Sequence, residues 1–229
     1  GWRLTFIFLG FIIGITVILA SQLLRIEIKQ IKTFDSSLHN LSQPKNLLIL
    51  WISMMISSSA GLAVIGHLAA IAQEIGLSPI VSALAVTCFS ITNAIGRIVV
   101  GWISDKMGRV RTLIIIFLCQ AVNMLLLFTS LHLSYFIIFV GSTLAGLFYG
   151  PLPAIYPAIV ADYYGSDKIG TIYSLLMTGY AVGSFFGPYL TGVIYDSTGE
   201  YYLSFIVLGI LLIANAGLIM RFPRNSESI

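Results

Sequence analysis

One arginine, Arg97, stands inside an otherwise uncharged apolar run, NAIGRIVVGW. At 100° per residue, Ser82, Thr87, Ser90, Asn93 and Arg97 fall within roughly 140° of one helical face. A polar stripe therefore climbs the helix and ends at a guanidinium. Its planar fork of donors suits a carboxylate bidentately, so the chemistry to expect is anion binding, with Arg97, Asn93 and Ser90 as contacts. Two other readings stand beside it. The side chain snorkels to a polar surface, or it pairs with a carboxylate from an absent half of the protein.

A short basic turn follows, GWISDKMGRVR, carrying Gly101, Asp105, Gly108, Arg109 and Arg111. Two helices joined by so few residues pack closely, and Gly101 and Gly108 remove the Cβ atoms that would hold them apart. Asp105 has Lys106, Arg109 and Arg111 as prospective partners, or the positive N-terminus of a neighbouring helix. Such a cluster works as a latch that closes in one state and opens in another. The plainer reading is an ordinary basic loop.

Further polar candidates are scattered. His67 titrates near neutrality and is the candidate for proton coupling, or simply bonds a neighbour. Tyr149 and Tyr156 lie in GLFYGPLPAIYPAIV, where Pro151, Pro153 and Pro157 each deny a hydrogen bond to the preceding turn. Freed carbonyls inside a membrane must be met by protein or water, so this segment is expected to line a cavity. The two phenols either donate to a carboxylate or pack as aromatics. Tyr173, Ser174 and Thr178 are the polar candidates of the following segment. Cys88 and Cys119 sit in apolar runs and read as small buried residues. No metal-ligand spacing, H-E-x-x-H motif or paired intramembrane aspartate is present, so we expect no metal, no cofactor and no enzyme.

The elements that position these groups follow from composition. Of 229 residues, 58% are hydrophobic and only 9% charged, and the mean hydropathy is +0.97. Soluble domains carry about 25% charged residues, so the class is an all-α integral membrane protein. Seven spans are predicted near 2–24, 47–71, 79–102, 112–131, 135–161, 169–195 and 201–221. The fifth and sixth run long and contain Gly and Pro, so tilt or a break is expected there. The polar stretch 25–46 is the linker, with an amphipathic surface helix possible over Ile26–Ile31.

Ten of the twelve Lys and Arg residues fall in alternate connections and in the tail. The positive-inside rule puts the linker, the 102–111 turn and the C-terminus in the cytoplasm, and Gly1 outside. An internal repeat supports this order. Gly101-x3-Asp105-x2-Gly108 recurs as Gly192-x3-Asp196-x2-Gly199, at the ends of the third and sixth spans. Ala94-Ile-Gly96 ahead of Arg97 is echoed by Ala181-Val-Gly183 ahead of Ser184. Three helices repeated with inverted topology is a transporter architecture.

The turn G-x3-D-x2-G-R-x-R after a membrane helix resembles the loop signature of the major facilitator superfamily. The resemblance implies that 47–229 is the C-terminal six-helix bundle, helices 7–12, with a 3+3 inverted repeat. Residues 1–24 are then the last helix of the N-terminal bundle, helix 6, and 25–46 is the cytoplasmic central linker. Helices 1–5 would be absent from this chain. Within the superfamily, N-x2-G-R leading into GWISDKMGR is similar to the oxalate/formate antiporter group and, more loosely, to monocarboxylate transporters. Those families imply an anion-binding arginine at Arg97. Monocarboxylate transporters tend to have an acid where Asn93 stands. The oxalate carrier has a lysine near the position of Thr178, and the sixth span here has none. A monoanion, needing one cation, fits better than a dianion.

The expectation is thus a secondary active transporter of the plasma membrane, moving a small organic anion by proton symport or anion exchange. Its partners are that carboxylate, the lipid bilayer and the missing N-terminal half, with no role for nucleic acid. A carrier for a neutral or drug-like solute is the rival on the same scaffold. A seven-helix receptor is disfavoured by the repeat, and a retinal protein by the absence of lysine from 201–221.

Overall fold

A computed structural model describes residues 2–23, 44–133 and 135–223. The chain divides into two units, residues 1–40 and 41–229. The first contains one described helix, α1 (Trp2–Leu23). Its 22 residues make a rod about 33 Å long. Apolar side chains such as Leu4, Phe8, Phe11, Ile15 and Leu19 stand exposed along it, as they must on a helix that is hydrophobic all round. Most of the linker, including the stretch Ile26–Ile31, lies outside the described residues, as does Arg224 of the tail.

The second unit is a bundle of α2 (Pro44–Glu74), α3 (Pro79–Met107), α4 (Arg109–Leu133), α5 (Tyr135–Tyr149), α6 (Leu152–Tyr164), α7 (Ile169–Thr198) and α8 (Tyr202–Ile219). A short 3-10 turn, Ser166–Lys168, precedes α7. No strand occurs among the described residues. Among the described residues, six helical runs are long and apolar enough to cross a membrane, with α5 and α6 counted together as Tyr135–Tyr164. The matching apolar part of α1 is the shorter stretch Ile7–Gln22.

Local chemistry sets the boundaries. Ser78 caps α3, its hydroxyl accepting from the Val81 amide, and Pro79 occupies the first turn, where its missing N–H costs nothing. The fifth span breaks as expected, at Gly150–Pro151. Pro151 removes the donor for the Leu147 carbonyl and Pro153 the donor for that of Tyr149. The sixth span does not break: α7 runs unbroken through Pro188. A single proline forfeits one ladder bond, that of the Ser184 carbonyl, and close packing against α2 holds the rest. Both repeat copies end alike. Gly108 (φ +90°) stops α3 and Gly199 (φ +74°) stops α7, a backbone region closed to most L side chains.

The tightest seams are α2 with α7, α3 with α5, and α4 with α8. Exchanging α2, α3 and α4 for α5–α6, α7 and α8 maps this set onto itself, as a three-helix repeat requires. Along the first seam, Gly179, Gly183 and Gly187 face the carbonyls of Trp51, Met55 and Ser59. Along the second, Gly146 and Gly150 face those of Phe89 and Asn93, and Gly96 faces the proline-freed carbonyl of Leu147. Ideal Cβ atoms there would lie 2.0–2.8 Å from those oxygens, so backbones approach as only glycine allows. Cross-seam hydroxyls repeat too: Ser58 donates to the Tyr180 carbonyl (3.2 Å) and Thr92 to that of Thr143 (2.8 Å). Gly96 and Gly187 stand equally far ahead of Gly101 and Gly192, so Gly187, not Gly183, is the packing counterpart of Gly96. The Ala-x-Gly echo belongs to a different register.

The outer faces differ in kind. Helices α4 and α8 expose Ile115, Leu118, Val122, Leu125, Ile210 and Ile213, a surface suited to lipid tails. Helices α3 and α7 expose a mixed face that includes Thr87, Ser90, Arg97, Ser174 and Thr178.

Candidate functional site

Arg97 projects from the exposed face of α3, one residue past the Gly96 contact with Leu147. Among the described residues no carboxylate lies within salt-bridge distance of it. Thr87 and Ser90 share that face. Their hydroxyls donate to their own helix, to the carbonyls of Ala83 (2.9 Å) and Val86 (2.8 Å). A bound anion would have to displace those bonds to gain a donor from them. Asn93 is half-buried, with its backbone carbonyl packed on Gly150.

Further donors come from α5 and α7. The hydroxyls of Tyr149 and Tyr180 are 2.8 Å apart. Arg97 is close enough to act electrostatically on the phenols of Tyr149 and Tyr173. Tyr149 lies flat against Gly61, where a Cβ would be 2.1 Å from its ring. Two tyrosine hydroxyls joined by one hydrogen bond retain one proton to give. Arg97 thus acts electrostatically on Tyr149 and Tyr173, and Tyr180 joins this group through its bond to Tyr149.

The sequence reading named Arg97 and Tyr149 as contacts, noted Tyr173 as polar, and missed Tyr180. Tyr173 and Tyr180 stand two helical turns apart and so share one face of α7; that spacing was the available signal. Thr178 is exposed on α7, accepting from Trp51 Nε1 (2.9 Å) and donating to the Leu175 carbonyl (2.7 Å). Tyr156 is placed elsewhere. It is completely buried, and its hydroxyl meets Ser53 (2.8 Å) and Ser57 (3.5 Å). It ties α6 to α2 inside the core and does not reach the Arg97 surface.

His67 lies toward the other end of α2. Its Nε2 is 3.1 Å from the Pro188 carbonyl and its Nδ1 is 3.4 Å from the Tyr201 hydroxyl. A carbonyl only accepts, so Nε2 carries the proton and Nδ1 accepts from Tyr201 in the neutral ring. Both ring nitrogens are engaged in joining α2 to α7 and the loop before α8.

The basic turn forms a chain of ion pairs. Arg109 reaches Asp105 through Nη1 (3.3 Å) and Asp162, at the end of α6, through Nε (2.5 Å). Lys106 does not pair with Asp105; its ammonium lies 3.8 Å over the Trp102 ring. Arg111 is exposed. The glycines depart from expectation. Among the described residues, a Cβ on Gly101 or on Gly108 would meet nothing within 4 Å, so packing between α3 and α4 explains neither, and Gly108 serves its positive φ. Among the described residues no three His, Cys, Asp or Glu side chains converge on a metal-sized site.

Comparison with known proteins adds a lineage. The profile described as Major Facilitator Superfamily matches residues 47–228. An uncharacterized MFS-type transporter, YhjX, of Escherichia coli (strain K12) is 29% identical over 193 residues, 80% of this chain and 48% of the relative. Monocarboxylate transporter 13 of Rattus norvegicus is 28% identical over 69% of this chain and 37% of its own length. The oxalate:formate antiporter of Oxalobacter formigenes is 25% identical over 85% of this chain and 48% of its own length. The chain thus spans less than half the length of these relatives.

Proposed function

Since the chain belongs to the major facilitator superfamily, we propose that it is the C-terminal half of an alternating-access carrier for a small organic anion. Residues 47–229 are its second six-helix bundle, 25–46 its cytoplasmic linker, and 1–24 the last helix of its first bundle. The protein is multi-pass; the plasma membrane is its proposed location, with the C-terminus inside.

Arg97 is the cation that receives the carboxylate. Tyr149, Tyr180 and Tyr173 supply hydroxyl donors around it, and Asn93, Ser90 and Thr178 line the approach. A carboxylate held by a fork and one phenol needs no second cation, so a monocarboxylate is the preferred substrate. Asp105, Arg109 and Asp162 latch the cytoplasmic ends, and the carrier works by proton symport or by exchange.

The observation that carries this reading is a guanidinium, unpaired among the described residues, within electrostatic reach of phenols from two other helices. A guanidinium held at mid-membrane depth costs at least ~2.5 kcal/mol, and a visiting anion offsets that cost. Uptake of labelled lactate, oxalate and a neutral sugar into vesicles holding the full-length protein tests it. Lactate uptake that is lost in Arg97→Ala and weakened in Arg97→Lys is the expected result. Sugar uptake that Arg97→Ala leaves intact overturns it.

A further inference from the structure

Gln120, in the middle of α4, is a buried polar side chain that the proposed transport cycle leaves without a task. It is 4% exposed. Among the described residues, neither its amide nitrogen nor its amide oxygen has a hydrogen-bond partner. A buried amide in that condition is a costly feature, and such groups are ordinarily met by protein or by ordered water.

The surroundings supply the means. Gln120 borders a small cavity with Ser57 and Gly61 of α2, Tyr149 of α5, Leu152 of α6 and Leu212 of α8. The space open to a water centre is about 10 Å³, roughly the volume that one water molecule requires. Ser57 gives its proton to the Met54 carbonyl (3.1 Å), which leaves its oxygen able to accept. Ser57 also begins a buried polar seam. Tyr156 joins it to Ser53, and Asn215 Nδ2 donates to the Ser53 carbonyl (3.1 Å).

We propose that one ordered water occupies this cavity, bonded to the Gln120 amide and the Ser57 hydroxyl. The water extends the seam from α8, α2 and α6 to α4. It fastens α4 by a polar contact to the same helix that carries the Tyr149 seat, Gly61. The ligand class is water alone, since the space admits nothing larger.

The test uses the full-length protein in lipid nanodiscs. A structure fine enough to resolve solvent should place a water within hydrogen-bond distance of both Gln120 and Ser57. A cavity without that density, or a Gln120 amide turned onto a protein partner, overturns the proposal. Thermal unfolding gives an independent readout that does not depend on transport. Gln120→Met and Ser57→Ala should each lower Tm, and the double variant should lose no more than the worse single one, because both remove the same bridge. A Tm raised by Gln120→Met, or losses that simply add, overturns it. If Gln120→Met does not fold, the density and the Ser57→Ala structure, which should lose or displace the water, decide the matter.

Discussion

The hydroxyl of Tyr149 lies 2.8 Å from that of Tyr180, across the gap between α5 and α7. Only one of their two protons is used in that bond. Removing either hydroxyl therefore removes a donor that a bound carboxylate would otherwise share. Tyr180→Phe and Tyr149→Phe should each raise KM for anion uptake about three- to tenfold, the worth of one hydrogen bond. Maximal rates should change less. Concentration-dependent uptake in vesicles measures both.

Gly61 is the floor on which the Tyr149 ring rests. A methyl group there would fall 2.1 Å from a ring carbon, so Gly61→Ala must tilt the ring. Anion uptake should drop by at least as much as in Tyr149→Phe. Combining the two changes should add little, because both act on one side chain.

The glycine seams make a sharper contrast. A Cβ at Gly183 would lie 2.1 Å from the Met55 carbonyl oxygen, whereas one at Gly101 would meet nothing within 4 Å. Gly183→Ala should cost about 1–3 kcal/mol in stability, the usual range for overpacking. Gly101→Ala should leave Tm close to wild type. Detergent-solubilised melting curves of the two variants check this directly.

The Arg109–Asp162 pair is partly exposed, 27% and 43% by side chain. Exposed pairs contribute ~0.2–1 kcal/mol. Asp162→Asn should therefore shift the balance of open and closed cytoplasmic states only a few-fold. Salt should erase much of the difference between variant and wild type. Accessibility of a cysteine placed at the cytoplasmic end, read at low and high ionic strength, is the measurement.

His67 joins α2 to the Pro188 carbonyl and to Tyr201. His67→Ala should lower Tm and leave the pH profile of uptake unmoved. A displaced pH profile would instead give His67 the proton-coupling role.

The membrane class, the helix order and the repeat were legible because they are written in long averages: hydropathy, alternating basic residues and one recurring turn. Arg97 was legible because a charge in an apolar run is conspicuous by itself. Tyr156 was misplaced because helical position alone does not say which neighbour a phenol faces. Ser53 and Ser57 claim it from α2, more than ninety residues away in sequence. Tyr180 was overlooked for the same reason, since its partner is on another helix. Gly101 was credited with packing that the described residues do not show, and of the tilt or break expected in the sixth span the break is absent.

The α2–α7 and α3–α5 seams bring main chain against main chain, with almost nothing pliable between. Helices joined in this way tilt together rather than slide past each other. On the proposed carrier, residues of the mixed outward face can consequently be exchanged without disturbing the glycine contacts beneath.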